Sequence, residues 1–186
     1  MENQYLTEYK AGDVMDPNNL ETERFFFESP IRDELFERMW GKSFKEDCTI
    51  PKEDLRYLRV LHWGKEGPVV GEMVCHKSVS QSLLEIFKEL FREKYPIERM
   101  RLIDDYDGDD ERSMADNNST CFNFRRVPGK EKLSHHSLGI AVDINPFYNP
   151  YVRTDKEGRV LCSPEGSQPY GDREKDFIYK IEEGDI

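Results

Sequence analysis

Residues 57–75, YLRVLHWGKEGPVVGEMVC, restrict the possible folds more than any other part of the chain. Two runs rich in β-branched and aromatic residues flank a connection bounded by Gly64 and Gly67, the pattern of a β-hairpin. Leu58, Val60 and His62 alternate with Tyr57, Arg59, Leu61 and Trp63, and the returning arm runs from Val69 to Cys75. The spacing predicts antiparallel pairing of 57–63 with 69–75.

The flanking segments supply cover for such a sheet. In ESPIRDELFERMWG, Ser29 can cap a helix, Pro30 suits its first position and Gly41 follows its end. Ile31, Leu35 and Met39 recur every four residues and form one apolar stripe. A second helix is expected over 79–94, packed on one face of the sheet. Ser78 and Gln81 are spaced as a capping box, Val79, Leu83, Ile86 and Leu90 form its apolar face, and Pro96 lies beyond its end. RMRLID (99–104) and LGIAVDIN (138–145) read as a third and a fourth strand. The order helix, hairpin, helix, strand, long loop, strand predicts an α+β fold with a small, mainly antiparallel sheet and helices packed on it.

At 186 residues the chain has the length of one domain. Residues 1–28 are polar and weakly periodic and read as an N-terminal arm laid over a domain spanning 29–186. The 11 Phe, 9 Tyr and 2 Trp exclude a disordered composition, although 35% of residues are charged. A net charge of −11 argues against nucleic acid or an anionic membrane as the natural partner. No run of apolar residues is long enough to span a membrane, and MENQYLTEYKAGD has neither the basic nor the apolar region of a signal peptide. Cys48, Cys75, Cys121 and Cys162 contain no C-x-x-C pair and are expected to be free thiols.

Several candidate sites fail on their own chemistry. The acidic stretch DDYDGDDE (104–111) would place Ile103 and Met114 where a calcium loop needs acids, so it reads as a solvated loop. The sequons at Asn117 and Asn118 matter only in a glycosylating compartment. His62 and His76, in or at the end of strands, read as packed or hydrogen-bonded residues.

LSHHSLGIAVDINP (133–146) is different. Ser134, His136, Gly139, Ala141 and Asp143 form an S-x-H-x-x-G-x-A-x-D pattern. Imidazole and carboxylate can meet if the chain bends, which Gly139 permits, and the pair suits zinc if at least one further ligand is present. On spacing alone, a capped strand with an exposed histidine remains the other reading.

This pattern, with FNFR (122–125) upstream and NPFYNPY (145–151) downstream, resembles the VanY-like D-alanyl-D-alanine carboxypeptidase and L-alanyl-D-glutamate endopeptidase family. The likeness covers about residues 25–186 and implies the Hedgehog/DD-peptidase fold. It implies that His136 and Asp143 are zinc ligands, that Arg125 faces the substrate and that Ser134 is the motif serine, supporting a ligand or touching substrate. His135 falls at a variable position. The implied activity is zinc-dependent hydrolysis of an amide bond next to a D-amino acid in a peptidoglycan stem peptide, which would place the protein in the cell envelope or outside the cell. The family's third ligand is a histidine in a later D-x-x-H or E-x-x-H motif whose acid is the general base. No histidine follows His136. Either that segment lies beyond residue 186, leaving the domain incomplete at its C-terminal end, or the protein lacks it. An inactive relative that binds peptidoglycan or another partner through the same cleft is therefore the alternative. Three further expectations follow: His136 and Asp143 converge in a surface cleft, Arg125 points into it without an acidic partner that neutralises it fully, and zinc is held weakly or not at all.

Overall fold

A computed structural model of the chain describes residues 8–127 and 129–185. Its centre is a three-stranded antiparallel sheet in the order β1 (Phe27–Pro30), β2 (Leu55–Gly64), β3 (Gly67–His76). The hairpin has the expected register, with Tyr57 opposite Val74 and Trp63 opposite Pro68. Lys65 and Glu66 form the turn, and Gly67 leaves it at φ 135°, which an L side chain would resist.

Both faces of the sheet are covered, so the alternation along β2 separates two cores instead of core from solvent. Leu58, Val60 and Met73 pack with Leu84, Phe87 and Leu90 of helix α2 (Ser80–Arg92). Leu55, Tyr57 and Val74 pack with Ile31 and Met39, the latter in helix α1 (Asp33–Met39), and with Phe122 and Phe124. The α+β arrangement is the one expected, and the stripe Ile31, Leu35, Met39 faces the second core as its spacing predicts.

Four local expectations are corrected. Ser29 and Pro30 do not start α1. They belong to β1, where Ser29 lies opposite Tyr57, and the helix begins at Asp33. The edge of β2 offers these residues a ladder, and proline is tolerated there because the strand is at the sheet edge. The Ser78 capping box is also absent. The Ser78 hydroxyl lies 2.7 Å from His76 Nδ1, and α2 starts at Ser80 without a side-chain cap. Ile86 is 50% exposed, and the buried face of α2 runs through Ser80, Leu84, Phe87 and Leu90.

The third and fourth strands do not form. Residues 99–104 make a bridge from Arg99 to Asn118, and Met100 O accepts from Glu72 N at 3.1 Å. The Asn118 amide then occupies both backbone groups of Arg101, at 2.8 and 3.0 Å, so no ladder continues. In 138–145, a left-handed Gly139 and a left-handed Asn145 bend the chain at either end, leaving one bridge between Thr120 and Asp143.

These short contacts share a purpose in the architecture. The outer edge of β3 is capped residue by alternate residue. Val70 pairs with Gly12 and Asp13, Glu72 with Met100, Val74 with Phe122, and His76 with Gly139. Each segment blunts an edge that would otherwise expose unpaired backbone groups. The last two segments carry the candidate site.

Of the expected arm, residues 1–7 lie outside the described residues. Phe25 and Phe26 are buried in the α2-side core. The acidic stretch is not wholly solvated: Asp104 is buried and accepts from Ser43 N at 3.1 Å, and helix α3 (Asp110–Ala115) follows it. Asn117 and Asn118 are buried and bonded, which excludes the sequons from modification in the folded chain. All four cysteines are free. After the site, β4 (Tyr151–Thr154) and β5 (Val160–Ser163) form a separate antiparallel hairpin. Among the described residues, no helix is long and apolar enough to cross a membrane.

Candidate functional site

His136 is positioned by a single turn of 3-10 helix, His135–Leu138. Ser134 precedes it in an extended conformation, and its Oγ accepts from His136 N at 3.3 Å, the ordinary use of serine at a helix start. Gly139 ends the turn at φ 66°, and its carbonyl accepts from His76 N at 2.8 Å, tying the turn to the edge of β3. A Cβ on Gly139 would lie 2.7 Å from that same nitrogen. Only glycine satisfies both the torsion and the close approach.

The imidazole is held at both nitrogens. Nδ1 lies 2.7 Å from Cys121 O, a bond in which the ring must be the donor. Nε2 lies 3.1 Å from Asp143 Oδ2, so the two side chains meet as the resemblance implied. A carbonyl on Nδ1 leaves Nε2 as the free ligand nitrogen of the neutral ring, which is how metal-binding histidines are oriented. Burial alone would lower the His136 pKa. The hydrogen bond and charge of Asp143 outweigh it, the Cys121 carbonyl adds to them, Arg125 opposes, and the net direction is upward.

The segment bearing Arg125 is stitched to this turn. Asn123 N donates to His136 O at 3.1 Å and Ser134 N to Arg125 O at 3.0 Å. Ser137 Oγ, fully buried, accepts from Arg125 N at 2.9 Å and donates to Arg125 O at 2.6 Å. The Arg125 guanidinium therefore stands close enough to His136 to affect its titration. It has an acidic partner, since Nη2 pairs with Asp110 Oδ2 at the start of α3, but a single contact is short of the full neutralisation that the expectation ruled out. The reason is tertiary, since α3 is brought against the 121–125 segment by the Asn123 amide, which donates to Gly108 O and Asp110 Oδ1 at 3.3 Å each. The contact is one-pronged, and the buried Arg125 Nε has no partner.

Cys121, Ser137, Asn123 and Asp110 were not foreseen. Cys121 acts through a carbonyl that any residue would supply, so no sequence signal exists for it. Ser137 lies inside the motif, but its spacing says nothing about which backbone it will bond. Neither remaining candidate histidine joins the site. His62 is buried and its Nδ1 meets Ile97 O at 2.7 Å, while the His76 ring bonds Ser78 and lies 4.0 Å from Asp54. His135 is exposed.

The donor set suits zinc in kind but not in number. An oriented imidazole and a carboxylate are present, yet no group of three or more His, Cys, Asp or Glu side chains that could hold a metal occurs among the described residues.

A histidine oriented by a backbone carbonyl beside an aspartate is an arrangement that can contribute two ligands to a metal. The model of a peptidase family described as D-alanyl-D-alanine carboxypeptidase matches residues 128–182, a span that includes Ser134, His136 and Asp143 and leaves out Arg125. At the coarse level this part of the chain is thus similar to a peptidase family. No curated protein and no solved structure matches the chain.

Proposed function

We infer that the protein is a zinc peptidase that hydrolyses an amide bond next to a D-amino acid in peptidoglycan stem peptides, acting in the cell envelope or outside the cell. The observation that carries the reading is the 3.1 Å approach of His136 Nε2 to Asp143 Oδ2 inside the segment that matches the peptidase family.

His136 Nε2 and Asp143 would hold the metal together with a donor outside the described set. Zinc supplies Lewis-acid polarisation of a scissile carbonyl. The chain's own residues do the rest. The Cys121 carbonyl takes the Nδ1 proton so that the neutral ring presents its lone pair at Nε2, and Ser134 Oγ holds the His136 backbone N–H. Arg125 presents a planar, permanently charged fork that can take a substrate carboxylate or the developing oxyanion. Its one-pronged pairing with Asp110 aims the fork and leaves other N–H groups to bond the substrate.

The test is mass spectrometry of the stem pentapeptide L-Ala-D-Glu-L-Lys-D-Ala-D-Ala incubated with the protein and zinc. Release of D-Ala, or scission after L-Ala, that disappears in Asp143→Ala is the expected result. An intact peptide under all conditions overturns the reading.

A second reading has its own support in the Arg125–Asp110 pair and in the lack of a third donor among the described residues. In it, the protein binds peptidoglycan without cutting it. Co-sedimentation with intact sacculi and no soluble fragments would favour that reading over the first.

A further inference from the structure

A cavity of about 760 Å³ lies between α1 and the sheet face opposite α2. That is the size of a small-molecule site. Its base holds two charges that a strand face seldom buries: Arg59 on β2 and Glu72 on β3, directly opposite one another and 3% and 6% exposed. They do not pair with each other directly, and the Tyr57 hydroxyl stands between them. Glu72 Oε1 takes Arg38 Nη2 at 3.1 Å and Oε2 takes the Tyr57 hydroxyl at 3.0 Å. Arg38 also binds Asp105, so both carboxylates are engaged by the same guanidinium. Burial and the adjacent Glu72 raise the Tyr57 phenol above its ordinary range, which keeps it a donor.

Arg59 is left as a buried cation without a carboxylate among the described residues. Its Nε donates to the Tyr57 hydroxyl at 2.9 Å and its Nη1 to Tyr9 O at 2.8 Å, and both acceptors are neutral. Nη2 has no acceptor among the described residues, and Arg59 lines the cavity. A desolvated guanidinium with an open donor edge is stabilised by an anion placed there. Lys10, Arg32 and Arg38 line the cavity as well, so four cationic side chains surround it. Against them stand Glu34, Glu72 and Asp105, so the lining carries a formal excess of one positive charge, which matches one carboxylate better than a doubly charged phosphate. Pro30, Leu35 and Ala11 give apolar wall to an organic body.

We propose that this cavity is a second binding site, for a small organic molecule carrying one carboxylate, which seats on Arg59. The site is independent of the peptidase reading. It lies on the α1 side of the sheet, whereas Cys121, Val142 and Ile144 around the His136–Asp143 pair pack into the α2-side core.

The experiment uses the purified protein with hippurate as probe, compared with hippuramide and phenyl phosphate, by saturation-transfer NMR and titration calorimetry. Hippurate binds in the millimolar range, hippuramide does not, and phenyl phosphate binds more weakly than hippurate. Arg59→Gln abolishes binding. Because that change can also disturb folding, Lys10→Glu at the rim provides the second variant and weakens hippurate about fivefold, the scale of an exposed charge contact. Arg125→Gln leaves hippurate affinity unchanged, which separates this cavity from the other site. Absence of hippurate binding, equal binding of hippuramide, tighter binding of phenyl phosphate, or a loss in Arg125→Gln that Lys10→Glu does not share would each overturn the proposal.

Discussion

Replacing His62 with glutamine removes a titrating group from the core while keeping a donor for Ile97 O. His62 is 2% exposed, and burial drives its pKa from the ordinary 6.5 down to about 4, the Ile97 bond only partly opposing this. Between these two values the unfolded chain binds a proton that the native chain refuses. The neutral native form is therefore favoured above the unfolded pKa, and that advantage is lost as pH falls toward 4. Each pH unit inside the window is worth about 1.4 kcal/mol, so acidification from pH 7 to pH 5 costs the native state about 2 kcal/mol through His62 alone. His136 contributes with the opposite sign, since its pKa is raised, but it is present in both proteins and cancels in the comparison. The assay is urea denaturation of wild type and His62→Gln at the two pH values. Wild type is expected to lose about 2 kcal/mol more than the variant on acidification, whatever the substitution costs at neutral pH. Equal losses in the two proteins would show that His62 is protonated in the native state or reached by water, and the burial argument would fail.

Gly139→Ala forces an L side chain to φ 66° and drives its Cβ against His76 N and Cys75 C, both backbone atoms that cannot swing aside. The strain and the weakened His76–Gly139 bond together cost about 3 kcal/mol, and peptide hydrolysis falls with the displaced His136; an unchanged urea midpoint rules this out. After dialysis, elemental analysis should find well under one zinc per chain, because only His136 and Asp143 are available as a pair among the described residues. One tightly held zinc per chain would reveal a donor not recognised here.

Local pattern was enough for whatever depends on neighbours in sequence. The hairpin follows from alternation and two glycines, α1 and α2 follow from apolar repeats, and Gly139 permits the bend by which His136 meets Asp143, a meeting that the resemblance implied and spacing alone left open. Tertiary contacts decided the rest, because backbone groups pair with whichever edge reaches them. The β2 edge drew Ser29 and Pro30 out of a plausible helix start, and the Asn118 amide stopped a strand at Arg101. The same is true of the site's finer chemistry. The Cys121 carbonyl that sets the His136 tautomer carries no side-chain signature, and the Asp110 that pairs with Arg125 is fifteen residues away in an acidic run that reads as solvated. Nothing in the alternation along the hairpin marks Arg59 or Glu72 as different from its neighbours. Only the packing of α1 over that face made them the floor of a cavity, because a strand does not encode which element covers it.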